Sequence, residues 1–391
     1  MNVAVLTSLY PGPPKPWEGV FAERRWSGMA ARGHRVRVVQ PLPRSPWPLR
    51  GRYAALRAMP AYEERLGVPI ERPRYLHFPR AHRANAARFA TVGSAAVLRG
   101  ERPDVCVLDY AWPAARATEK LSGAGLAVVV NGRGSDVLQV AEDPTLREEL
   151  VRGLRAADGW TAVSDDLVRA MDELAGAPGR GVLIPNGVDL ERFGPASSRG
   201  EARTAIADAV PGGGPLVLVV GHLIARKDPL LALTGFERGA PPDARLVFVG
   251  RGPLEAELRA AVAARGLSAR VHLLGERDPA ELAALYRAAD LLLLTSYREG
   301  RPNVVLEALA SGLPVVATRA GGTAELLTGF EERLLVEERT AEAVGARVAG
   351  VLSDPPSPTE LRALVEPLSW EASFRELERC LDAASAEDHA A

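Results

Sequence analysis

At roughly 150 residues per domain, a chain of 391 residues holds two or three domains, and its 47% apolar and 25% charged content excludes disordered, collagen-like and coiled-coil classes. With 48 basic and 49 acidic residues the formal net charge is -1, which argues against polyanion binding over the whole surface. The balance is uneven, however: residues 1–105 contain 18 Lys/Arg and 7 Asp/Glu, a local net of +11 that leaves -12 for the remainder. Eleven of these basic residues are arginines between Arg44 and Arg99, interleaved with Trp47, Tyr53, Tyr62, Tyr75, Phe78 and Phe89. Read as Arg-rich helices, this segment suits an anionic partner, either a membrane face or a lipid pyrophosphate.

In chain order, Met1 to Leu6 has no basic leader and reads as a first strand, not a signal peptide. Near-continuous Val/Leu/Ala runs follow at residues 3–10, 35–42, 105–110, 127–131, 160–164 and 182–185, and a second set at 216–221, 245–250, 271–275, 291–296, 314–318 and 333–336. Runs of this kind, without polar alternation, belong to strands covered on both faces, and the helical spacing between them predicts βαβ units with parallel sheets. Between the two sets, Pro185-Asn186-Gly187-Val188-Asp189 and the Gly-rich stretch 194–215 predict a hinge and linker. The expected layout is an α/β protein of two doubly wound domains, residues 1–195 and 196–368, facing across a cleft. Residues 369–391 hold a last helix, opened by Ser369 and Trp370 and running to about Ala384, and a frayed tail. No apolar run reaches the ~20 residues of a membrane helix, so the expected location is the cytoplasm, with any membrane contact peripheral at the inner face. Cys106 and Cys380 stand alone in sequence and read as reduced, buried thiols, with no metal site.

Ligands of such sheets bind outside the carboxyl ends of the strands, so the strand-end loops hold the candidates. The first loop brings Gly19 to the start of a helix near Val20 and matches neither common phosphate-loop pattern. In Asn131-Gly132-Arg133-Gly134-Ser135-Asp136, Arg133 and Asp136 suit hydroxyl or phosphate recognition, with helix capping the alternative for Asp136. After the first strand of the second half, Gly221-His222-Leu223-Ile224-Ala225-Arg226-Lys227-Asp228 sets two cations before a helix opened by Pro229, an arrangement matched to a diphosphate. In the stretch from Ser296 to Thr318, Glu299 and Gly300 form a loop, Asn303 is a possible helix cap and Glu307 lies on the helix. Two carboxylates at a strand end accept hydrogen bonds from vicinal hydroxyls, as in a ribose or sugar ring; an acid and base pair for hydrolysis is the other functional reading.

From Val219 to Leu326 the sequence resembles the nucleotide-sugar domain of family 4 glycosyltransferases, the retaining enzymes of the GT-B fold. The resemblance runs through Arg226-Lys227, Val249-Gly250-Arg251-Gly252-Pro253, Leu274-Gly275, the pair Glu299 and Glu307, and Gly321-Gly322-Thr323-Ala324-Glu325. Looser matches at Gly19-Val20-Phe21, Arg133 to Val137 and Pro185 to Asp189 are similar to the bacterial cell-surface polysaccharide branch. The resemblance implies that the first domain takes the acceptor, through Gly19, Arg133, Asp136 and Asn186, and the second takes the donor. It further implies that Lys227 and Arg226 hold the donor diphosphate, that Glu307 binds the ribose and that Glu299 sits beside the sugar. Gly221, His222, Gly250, Arg251 and the run Gly300, Arg301, Pro302, Asn303 and Val304 complete the donor site, and the last helix returns toward the first domain. Many relatives carry Arg at the position of His222 and His at that of Arg133. Either Arg226 supplies the missing cation or diphosphate binding is weaker. No Asp-x-Asp occurs, so the expectation is a nucleotide diphosphate sugar as donor substrate, a glycan or lipid-linked acceptor, and neither cofactor nor metal. The competing readings are a nucleotide-sugar epimerase of the same fold and a non-catalytic protein binding anionic lipid or nucleic acid; nucleic acid is disfavoured by the acidic remainder of the chain.

Overall fold

A computed structural model of the chain describes residues 1–16, 18–45 and 55–388. Trp47 and Tyr53, two of the aromatics noted above, lie outside the described residues. The chain forms two compact units: Met1–Asn186 together with Glu371–Ala391, and Gly187–Trp370.

In the first unit, parallel strands lie in the order Val182–Leu183, Gly159–Ala162, Ala127–Gly132, Val105–Asp109, Asn2–Thr7, Arg35–Val39 and Val68–Glu71. Successive residues of each central strand enter opposite cores. Ala4, Leu6, Cys106, Leu108, Val128 and Val130 pack on one face with Phe89 and Val97, while Val3, Val5, Val105, Val107, Ala127 and Val129 pack on the other with Trp26 and Met29. Burial on both sides is why these strands read as unbroken apolar runs. The helix Trp370–Asp388 belongs to this unit, where Leu377 and Leu381 join the core containing Trp26. A Cβ at Gly28 would stand 2.0 Å from the Phe374 ring, so a glycine lets this helix seat.

The arginine-rich segment departs from expectation. Much of it forms short strands instead of helices: Tyr62–Arg65 pairs antiparallel with Val68–Glu71 as the sheet edge, and Leu42–Arg44 pairs with Arg74–Leu76 in a separate ribbon. Leu66 (φ 49°) and Gly67 (φ 77°) make the hairpin turn, which needs positive φ at both central positions and carries no Asn-Gly or Asp-Gly signature to announce it. The long helix His82–Arg99 follows.

The second unit is a six-stranded parallel sheet in the order Val271–Gly275, Arg245–Val249, Leu216–Val220, Leu291–Leu294, Val315–Thr318 and Leu335–Val336. This is the 3-2-1-4-5-6 order of dinucleotide-binding sheets. The expected linker at 194–215 is instead partly helical, Arg199–Ala205, and is docked: Arg199 and Arg203 both pair with Asp290, and Arg287 donates to the Gly194 carbonyl at 3.1 Å. The division therefore falls at Asn186/Gly187, earlier than the predicted 195/196. At the unit's two ends, the Val188 N–H donates to Leu368 O at 2.9 Å, and a Cβ on Gly187 would stand 2.4 Å from Trp370 N.

Candidate functional site

In each sheet the strand order reverses at one point, where the connections from two adjacent strands leave in opposite directions and open a crevice at their carboxyl ends. In the second unit this point lies between Leu216–Val220 and Leu291–Leu294. The loops leaving those two strands carry Arg226-Lys227 and Glu299.

The loop from Gly221 is closely packed. A Cβ on Gly250 would lie 2.1 Å from the Gly221 carbonyl oxygen, so only glycine admits this backbone approach. A single 3-10 turn, Ala225–Lys227, presents the two cations, and Asp228 (φ 46°) ends it as N-cap of the helix Pro229–Gly239. Lys227 Nζ stands 2.5 Å from Glu299 Oε1; Arg226 Nη1 is 3.3 Å from Oε2 and donates to the Arg298 carbonyl at 2.7 Å. Glu299 is buried, whereas the Lys227 and Arg226 side chains retain 19% and 29% of their exposure. Burial opposes ionisation of Glu299, but the Lys227 and Arg226 charges outweigh it and hold its pKa below the ordinary Glu range. The site thus contains one carboxylate held between two half-open cations, with a formal charge of +1 available to an anion.

The two carboxylates singled out in sequence have separate partners. Glu307, on the helix Asn303–Ala310, accepts the Tyr286 hydroxyl at 3.0 Å. Burial and the adjacent Glu307 raise the Tyr286 pKa well above its usual value, so this tyrosine acts as a donor. Asn303 is not the helix cap: Pro302 takes that position and no side-chain hydrogen bond caps the helix. The Gly300 carbonyl accepts from Gly322 N–H at 3.0 Å, and Arg301 approaches Glu325 at 4.0 Å. Val304 follows Asn303 in the first helical turn. Arg251 is exposed, 3.7 Å from Glu255, and its carbonyl accepts from Leu223 N–H. His222 is exposed, and among the described residues no hydrogen bond ties it to Glu299.

The equivalent point of the first unit lies between Asn2–Thr7 and Val105–Asp109. Here Asp109, 1% exposed, binds Arg133 through two oxygens, Nε to Oδ1 at 2.9 Å and Nη2 to Oδ2 at 3.0 Å. Trp26 and Asn131 also donate to it, at 2.7 and 2.6 Å. Burial works against the Asp109 charge, and Arg133 overcomes it, leaving the pKa lowered. Arg133 Nη1 reaches Asn186 Oδ1 at 2.7 Å, and its guanidinium lies 4.7 Å from the Phe21 ring centroid. Arg25, also buried, donates to the same Asn186 oxygen at 3.3 Å and to Ile184 O at 3.0 Å. Gly19 (φ 86°) precedes the helix Val20–Ala31. Asp136 is buried and accepts from the Ala111 N–H at 2.6 Å and the Arg133 N–H at 3.0 Å, with burial raising its pKa to about 6. The structure thus joins Arg133 and Asn186 and places the Asp136 carboxylate on backbone groups.

Sequence reading missed Asp109, Arg25, Tyr286 and Arg339. For Asp109 there was a signal: a lone acid ending a fully apolar run, Val105 to Leu108. For Arg25, in the middle of a helix, there was none. Part of the arginine-rich segment is ion-paired. Arg65 pairs with Glu23, Arg72 with Glu63, Arg83 with Glu149 and Arg99 with Glu71, and Arg74 donates to the Leu56 and Met59 carbonyls. Arg44, Arg57 and Arg80 are exposed, and the paired Arg83 and Arg99 side chains keep 62% and 68% of their exposure. Cys106 is buried and Cys380 partly so, and both are free thiols. Among the described residues no cluster of His, Cys, Asp and Glu could hold a metal ion, and no helix is long and apolar enough to cross a membrane.

Residues 204–364 match the family described as Glycosyl transferases group 1, and residues 22–192 match Glycosyltransferase Family 4. A putative teichuronic acid biosynthesis glycosyltransferase of Bacillus subtilis is 29% identical over 361 residues, covering 89% of this chain and 88% of its own. A D-inositol 3-phosphate glycosyltransferase of Corynebacterium jeikeium is 35% identical over 164 residues, 40% of this chain and 39% of its own. Among solved structures, the Anabaena protein HepE in complex with UDP superposes with a TM-score of 0.76 at 19% identity, covering 98% of this chain and 100% of its own. The two matched families tile both units in order, and the fold agrees along the whole chain. The chain belongs to family 4 of the glycosyltransferases, with the GT-B fold, and is a glycosyltransferase.

Proposed function

We propose that the protein transfers a sugar from a nucleoside diphosphate sugar to an acceptor hydroxyl, with retention of anomeric configuration, in the assembly of a cell-surface polysaccharide or glycolipid. The observation that carries this reading is the Lys227–Glu299–Arg226 arrangement at the reversal point of the second sheet. In the reaction the bond from the anomeric carbon to the donor phosphate oxygen breaks, a bond to the acceptor oxygen forms, and the nucleoside diphosphate and a proton are the other products. Negative charge gathers on the departing diphosphate, where fixed cations lower the barrier most. Lys227 and Arg226 supply them without a divalent ion, and the uncapped start of the helix Asn303–Ala310 adds backbone N–H groups. Glu299 keeps the cations in place until the donor arrives and then accepts from the sugar hydroxyls; Glu307 accepts from the ribose. The Tyr286 hydroxyl, donating to one Glu307 oxygen, orients the carboxylate for this work.

The acceptor falls to the first unit, beside Arg133. The similarity to the teichuronic acid enzyme over most of both chains supports a cell-surface glycan or its lipid-linked precursor. Screening UDP-, GDP- and ADP-sugars for binding, then determining the anomeric configuration of the product by NMR in the presence of EDTA, tests the reading. Binding of at least one donor and a retained anomer with metal removed are expected. An inverted product, or activity that disappears with EDTA and returns with a divalent ion, overturns the corresponding part.

A further inference from the structure

Arg339 is neither in a motif nor among the residues expected to touch a ligand, yet it makes an ion pair, a carbonyl hydrogen bond and a ring contact beside the second unit's site. It follows the edge strand Leu335–Val336. Its Nη2 donates to Asp228 Oδ2 and to the Thr295 carbonyl, both at 2.9 Å. Its guanidinium carbon lies 3.3 Å from the Tyr297 ring centroid, a face-on cation–π contact. Each partner is tied to the turn that carries the cations. Asp228 ends that turn at φ 46°, a left-handed conformation that aspartate tolerates better than most residues. The Thr295 hydroxyl donates to the Lys227 and Asp228 carbonyls at 3.0 and 2.8 Å, and the Tyr297 N–H donates to the Arg226 carbonyl at 2.8 Å. Tyr297 itself is 58% exposed, an arrangement that leaves its outer face to solvent while Arg339 fixes the inner one.

We propose that Arg339 is a positioning residue for diphosphate recognition: it clamps Asp228, Thr295 and Tyr297 so that the turn Ala225–Lys227 presents Arg226 and Lys227 at a fixed spacing. The inference rests on the reading of those two side chains as the diphosphate cations. A lysine cannot replace it: an ammonium could donate to the two oxygens that Nη2 reaches, but it has no plane to lay on the Tyr297 ring at the same time.

The test is calorimetric binding of UDP, GDP and ADP, and of uridine, guanosine and adenosine, to the full chain and to Arg339→Lys and Arg339→Met, with thermal unfolding recorded for each. For the nucleotide that wild type binds best, both variants should weaken the diphosphate by roughly tenfold and leave the matching nucleoside unchanged. Equal loss for diphosphate and nucleoside would mean a general structural role and overturn the proposal. Wild-type affinity in Arg339→Lys would overturn it as well, by showing that charge alone suffices. Should Arg339→Met fail to fold, Tyr297→Ala removes only the stacking surface and should give a smaller loss of the same kind; no loss there counts against the clamp. Lys227→Ala separates the two levels: if it keeps the wild-type preference for diphosphate over nucleoside, the reading of the cations fails first and the inference goes with it.

Discussion

The two units share one plan and use their charges oppositely. At the reversal point of the first sheet, Arg133 and Asp109 are almost completely buried, at 4% and 1% side-chain exposure, and Arg25 is enclosed with them. At the reversal point of the second, Lys227 and Arg226 keep 19% and 29%. A buried pair is expensive to desolvate and is tolerated only when geometry and further hydrogen bonds satisfy it, as Trp26, Asn131 and Asn186 do here. Half-open cations pay less of that cost and can exchange one anion for another. The same residue types are thus enclosed in one unit and partly open in the other.

Breaking the first arrangement should have the largest effect. Asp109→Ala leaves Arg133 and Arg25 buried without their carboxylate, and a loss of about 3–5 kcal/mol is expected by denaturant unfolding. A loss under about 1 kcal/mol would show that the cluster is not a structural pair. In the second unit the outcome should be reversed. Lys227→Ala should fold with near-wild-type stability but reduce turnover by roughly 10²–10³, the loss seen when one preorganised charge at a developing anion is removed. Near-normal transfer by that variant would end its assignment to the diphosphate.

A smaller effect sharpens the contrast through pH. The folded-state pKa of Asp136 is raised from the model-peptide value of 3.8 to about 6. The stability linked to its protonated form is therefore full below about pH 4 and lost as pH rises to about 6, on the order of 3 kcal/mol. In Asp136→Asn, whose amide oxygen can still accept from the Ala111 and Arg133 N–H groups, unfolding followed from pH 4 to 7 should show a flatter slope across that window. An unchanged slope would place the titration elsewhere.

Much of the site was legible because its signals are local. Arg226, Lys227, Glu299 and Glu307 stand at strand ends that an apolar run announces. Lys227, Arg226 and Glu299 do meet, while Glu307 finds Tyr286 instead. The basic first segment is less legible, because pairing is not local. Arg83 pairs with Glu149, outside residues 1–105, while Arg65, Arg72 and Arg99 pair with Glu23, Glu63 and Glu71, which the net of +11 already counts. A flotation assay with anionic liposomes is expected to show binding at low salt that high salt removes, through the exposed Arg44, Arg57, Arg80, Arg83 and Arg99. No binding at low salt would refute a membrane role for this surface.

The sequence by itself determined the two doubly wound units, the strand-end positions of Arg226, Lys227 and Glu299 and the family, because hydrophobic runs, turn glycines and motif spacing act over a few residues. Tertiary structure decided which charges are spent and which remain available. Arg133 with Asp109, Arg25 with Asn186 and Arg339 with Asp228 join residues separated by 24, 161 and 111 positions. Whether a charge is neutralised depends on what the fold brings within about 4 Å, and no local pattern encodes that distance.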